Sequence, residues 1–223
     1  MKKILIISAV FILCFQFVCS ASDLSQHLLN RAVNVIESED SIDIYARISF
    51  SGNEKDDFVP NTTVTYSEAF MLGVQYVWSG MYDGKPVYVH LEEVDASAYV
   101  RRIRVIFDSV KNSFSFPYAR KHSSVIWMYT GDGRSGIDNV YNYSELLYVS
   151  GHEFGHAALG LADAYADPNE QIKKYLRSPM NDWAYRQATD ADYYIMLKHR
   201  TWTLGDMFVY SRDKELLKRY LQT

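Results

Sequence analysis

The 223 residues are 48% hydrophobic and 22% charged, a balance that suits one soluble globular domain with a real core and excludes an intrinsically disordered chain. The formal net charge is −4 and no basic residues cluster, which argues against nucleic acid as a partner.

Residues 1–21 read as a signal peptide. Lys2 and Lys3 precede an almost wholly apolar stretch from Ile4 to Val18, and Cys19-Ser20-Ala21 supplies small residues for cleavage. The apolar stretch is short for a membrane span, which needs roughly 20 residues. No stable membrane insertion is therefore expected once the leader is gone, and the protein is expected to be secreted or extracytoplasmic. Both cysteines, Cys14 and Cys19, leave with the leader, so neither a disulfide framework nor a thiolate-ligated metal is expected. Loss of Lys2 and Lys3 leaves 21 Lys+Arg against 27 Asp+Glu, a net of −6.

The remaining 22–223 read as a single domain. Ser22 to about Glu39 has Leu24, Leu28, Val33 and Ile36 near helical spacing, which predicts a short amphipathic helix. Ile42 to Phe50 alternates apolar and polar residues and predicts a strand. Ser51 to Asn61 is polar, contains Gly52 and Pro60, and reads as an exposed loop. Tyr66 to Ser79 places Phe70, Val74, Val77 and Trp78 along one helical face, with Gly80 positioned to end the helix. Pro86 to Val94 and Tyr99 to Asp108 predict two strands joined through Asp95-Ala96-Ser97-Ala98. The second also fits helical spacing, and the β-branched Ile103, Val105 and Ile106 decide for strand.

Ser124 to Tyr129 reads as a buried strand, and Gly131 to Gly136 as a flexible loop. Asn142-Tyr143-Ser144-Glu145 offers capping residues for a helix continuing to about Leu159. Thr189 to Lys198 and Lys214 to Leu221 predict two further helices. The fold class is α+β: a small twisted mixed sheet, a backing helix, a motif helix and a mostly helical C-terminal part.

The chemistry centres on His152-Glu153-Phe154-Gly155-His156. Two histidines four residues apart on a helix project from one face, one turn apart, so both rings can reach one metal ion. Glu153 sits one residue further round, where a carboxylate serves as a general base toward water rather than as a third ligand. The implied cofactor is one catalytic zinc ion. An ordinary buried helix can carry the same five residues by chance, but a third ligand is offered nearby. Gly160 can reverse the chain in a left-handed conformation, and Asp163 then arrives with a carboxylate. Asp167 and Glu170 are the alternatives, and Asp163 has a competing role as a turn cap.

The run from His152 to Tyr165 resembles the zinc signature of the IgA-peptidase M64 family, among the metzincin-like zinc proteases. The resemblance implies a zincin-like fold, His152, His156 and Asp163 as ligands, and Glu153 as the catalytic base. It spans about 14 residues. The run departs from the family pattern at Ala158, where phenylalanine is usual, and at Ala164, which replaces a glutamate. The resemblance also implies a methionine turn under the metal, and Ser178-Pro179-Met180-Asn181-Asp182 fits it.

Tyr165 and Tyr185 are candidates for stabilising an oxyanion, without a basis for choosing between them. His27, His90, His122 and His199 lack ligand spacing. The expected activity is a metallopeptidase acting on protein or peptide substrates, with the peptide lying along the strand near Val125 to Tyr129 as the exposed sheet edge. The alternatives are an exported binding protein that keeps a zinc site, and a zinc amidase acting on cell-wall peptides.

Overall fold

The computed structural model describes residues 31–108, 118–119, 124–130, 142–161, 180 and 187–198. Among the described residues the elements in chain order are β1 Val33–Glu37, β2 Ile42–Ser51, α1 Tyr66–Trp78, β3 Gly80–Tyr82, β4 Lys85–Glu93, β5 Ile103–Asp108, β6 Tyr118–Ala119, β7 Val125–Tyr129, α2 Tyr143–Ala157 and α3 Asp190–Lys198. The class is α+β, with a mixed sheet and helices. The expected helices and sequence features at Lys214 to Leu221 and Gly131 to Gly136, and the leader at 1–21, lie outside the described residues.

The sheet runs β3-β4-β2-β5-β7-β6, with β1 also paired to β2. Strands β4, β2, β5 and β7 are parallel neighbours, whereas β1, β3 and β6 pair antiparallel. Parallel neighbours need long crossovers, and α1 supplies the one between β2 and β4.

The helix expected over Ser22 to about Glu39 is overturned in its described part. Residues 33–37 form β1, which pairs Val33 with Ala46 and Glu37 with Ile42. Val33 and Val35 alternate with polar residues, and their β-branched side chains gain more from pairing beside β2 than from a helix.

Strand β2 directs Ile42, Ile44, Ala46, Ile48 and Phe50 into the core, where all five are buried. Of the intervening polar positions Arg47 and Ser49 are buried and Asp43 is half-buried, and each has a partner. Arg47 Nε donates to Glu92 at 2.9 Å, Arg102 Nε donates to the Ser49 hydroxyl at 3.0 Å, and Asp43 lies 2.7 Å from His90. Arg102 also donates to the carbonyls of Ala96, Ala98 and Val100, which holds the β4–β5 connection irregular. That is why β5 starts at Ile103 rather than near Tyr99.

Helix α1 starts at the N-cap Thr65, in a reciprocal box with Glu68. Gly80 does not end it: Ser79 is the C-cap in extended conformation, and Gly80 opens β3. The terminal carbonyls of α1 are satisfied from further along the chain. The Ala188 N–H donates to Val77 at 2.8 Å and the Tyr193 hydroxyl donates to Trp78 at 3.0 Å. Burial, and then Asp192 and Asp190 nearby, push the Tyr193 phenol well above the ordinary tyrosine range.

Helices α1 and α2 pack closely because glycines remove the intervening side chains. A Cβ at residue 73 would stand 2.3 Å from the Leu147 carbonyl oxygen, and one at residue 151 would stand 2.3 Å from a Val77 methyl. Strand β7 is flanked on both sides, by β5 and by β6, so it is not the edge expected for peptide binding. Tyr118 and Ala119 lie outside it. Among the described residues, no helix is long and apolar enough to cross a membrane.

Candidate metal centre

The helix that carries His152, Glu153 and His156 is placed by its own sequence. Asn142 accepts from the Glu145 N–H at 3.0 Å and its own N–H donates to the Glu145 carboxylate at 3.1 Å, a reciprocal cap that fixes where α2 begins. Leu146, Val149, Phe154 and Ala157 bury one side of the helix in the core. The register is further pinned by Trp78, whose indole N–H donates to the Gly151 carbonyl at 2.8 Å.

The two histidine rings converge. Their Nε2 atoms lie 3.1 Å apart, with ring centroids 4.7 Å apart and planes at 86°. Two nitrogens each about 2.0–2.1 Å from one tetrahedral ion stand about 3.3 Å apart, so this pair fits a shared divalent cation closely. The Tyr148 ring lies 5.9 Å from that of His152 and walls one side.

His156 is also oriented from behind. Its Nδ1 lies 2.7 Å from the Leu161 carbonyl oxygen. A carbonyl accepts only, so Nδ1 carries the hydrogen, and in the neutral ring this leaves the lone pair on Nε2, the nitrogen that faces His152. The Leu161 carbonyl reaches this point because the chain reverses after α2. Ala158 is the C-cap, Gly160 has φ +70°, and the Leu161 N–H returns to the Gly155 carbonyl at 3.0 Å. The left-handed turn expected at Gly160 is thus present.

Glu153 is buried at 5% exposure on the same helix, between the two histidines in sequence. Met180 is buried against this helix as well. A Cβ at residue 155 would stand 2.7 Å from the Met180 sulfur and 2.8 Å from the Trp78 ring, so the thioether packs against the helix one residue before His156. The other residues of the expected methionine turn, Ser178, Pro179, Asn181 and Asp182, lie outside the described residues.

Asp163, with its alternatives Asp167 and Glu170, lies outside the described residues, as do Tyr165 and Tyr185. Among the described residues, no group of three or more His, Cys, Asp or Glu converges as a metal cage. What the structure gathers is the histidine pair, Glu153 on the same helix, and the turn at Gly160 and Leu161.

Reading the motif alone misses three contributors: the Leu161 carbonyl, the Trp78 indole, and the small residues at 151 and 155. The last were legible as glycines four apart, a spacing that clears one helix face for close packing. The first two are contacts made across the turn or from another helix, and no local pattern announces them. No protein-family model and no curated protein matches this chain.

Proposed function

We propose that this protein is an exported zinc-dependent peptidase, in which His152, His156 and Asp163 hold one zinc ion and Glu153 is the general base. The observation that carries the reading is the 3.1 Å separation of the two Nε2 atoms, a distance suited to two ligands of one ion. The likeness of the run from His152 to Tyr165 to the M64 signature supports the same assignment, as does Met180 packed under the helix. Export rests on the basic and apolar leader at 1–21.

Zinc, when bound, supplies a Lewis acid that polarises a peptide carbonyl and acidifies water. This chain's residues do the rest. His156 presents a neutral nitrogen lone pair because its other nitrogen is engaged by Leu161. Glu153, held in a largely water-excluded position, accepts a proton from water as the carbonyl carbon is attacked. The same carboxyl group then returns that proton to the leaving amine, so that one carboxylate serves both halves of the hydrolysis.

The test is cleavage of an unbiased peptide library by the purified protein beside Glu153→Gln. The expected result is turnover by the wild type and a loss of about 10²–10⁴-fold in the variant, with zinc content unchanged. Equal rates for the two proteins, or no cleavage by a zinc-loaded wild type, would remove the peptidase reading.

A further inference from the structure

We infer that Gly160 is a positioning residue for the metal centre: by placing the Leu161 carbonyl at His156 Nδ1, it sets the imidazole tautomer before any cation arrives. The inference rests on the reading of His152 and His156 as ligands and adds how one of them is prepared for the role.

Three anchors hold Leu161 where it is. Its N–H donates to the Gly155 carbonyl at 3.0 Å, its carbonyl accepts from His156 at 2.7 Å, and its side chain is buried at 2% exposure in the core. Residues 155 and 156 are therefore gripped by opposite ends of one later residue. The loop between them closes within six residues only because Gly160 adopts φ +70°. For a residue with a Cβ that conformation is disfavoured, and asparagine tolerates it better than alanine.

The consequence is chemical. A neutral imidazole has one N–H and one lone pair, and which nitrogen has which depends on the partner of the other. With Nδ1–H committed to Leu161, Nε2 is obliged to present its lone pair toward the His152 ring, 3.1 Å away. If the turn relaxes, the carbonyl moves off. His156 then populates the other tautomer, with a hydrogen on the nitrogen that should bind. Second partners of this kind set ligand orientation and typically change metal affinity by about 10–100-fold when removed.

The experiment uses the purified protein as wild type, Gly160→Ala and Gly160→Asn. Imidazole nitrogen NMR of the metal-free forms reads the tautomer, and chelator competition reads zinc affinity. The expected wild-type signature is His156 as the Nδ1–H tautomer. Gly160→Ala is expected to mix the tautomers and weaken zinc binding about 10–100-fold. Gly160→Asn is expected to restore most of both. An Nε2–H tautomer in the wild type would overturn the inference. So would a folded Gly160→Ala with unchanged tautomer and affinity. If the alanine variant does not fold, the wild-type tautomer and the asparagine variant decide the question. A wild type that binds no zinc would count against the peptidase reading, while the tautomer measurement would still decide this one.

Discussion

The indole nitrogen of Trp78, the last residue of α1, donates to the carbonyl of Gly151, the residue immediately before His152, at 2.8 Å. One buried hydrogen bond thus ties the end of the crossover helix to the start of the chemical motif. Around it, Trp78 stacks edgewise on Tyr193, whose hydroxyl in turn caps the Trp78 carbonyl. Substituting Trp78→Phe removes the indole donor and part of the ring volume. It is expected to lower stability by about 3 kcal/mol, combining a lost buried hydrogen bond with a small cavity. Chemical denaturation checks this, and an unchanged midpoint would show that the bond does not matter.

The close approach of α1 to α2 makes a second expectation. Gly73 faces the Leu147 backbone, which cannot rotate away, and Gly151 faces the β-branched Val77. Gly73→Ala and Gly151→Ala are each expected to cost about 1–3 kcal/mol by overpacking, despite alanine's better helix propensity. Gly84→Ala is the control. Nothing lies within 4 Å of its Cβ, so only the cost of its φ of +75° applies. Should Gly73→Ala stabilise the protein in a thermal melt, the helices do not touch as described.

Acid acts on the start of α1. The Thr65 backbone N–H, and then its hydroxyl, hold the Glu68 carboxyl below the ordinary glutamate range. A lowered folded pKa means that this stabilisation is present above the unfolded carboxylate range and is lost as pH falls through the folded value. The melting temperature of wild type should therefore exceed that of Glu68→Gln at neutral pH, and the gap should close below about pH 4. A gap that stays constant into acid would contradict the capping role.

Much of the sheet was legible because β-branched runs such as Ile103 to Ile106 and the alternation of Ile42 to Phe50 declare strands locally. The cap at Asn142 and the turn at Gly160 were legible for a similar reason: each is a short-range signal with a single physical cause. Val33 to Glu37 was not. Its spacing satisfies a helix as well as a strand, and only pairing with β2 resolves the choice. The edge position of β7 failed likewise, because Tyr118 and Ala119 are too few to announce a strand, yet they pair with its Trp127 and Ile126. At the candidate site, the residue types and their spacing were readable. The contacts from Leu161 and Trp78 were not, since hydrogen bonds to backbone carbonyls leave no mark on residue identity.

On the proposed function, two imidazoles on one turn of α2 bind a single zinc ion. Elemental analysis of the purified protein beside His152→Ala/His156→Ala tests it most directly, with circular dichroism confirming that both are folded. About one zinc per wild-type chain and none in the double variant is expected. Equal zinc in both proteins, or a wild type that takes up none when zinc is supplied, would contradict it.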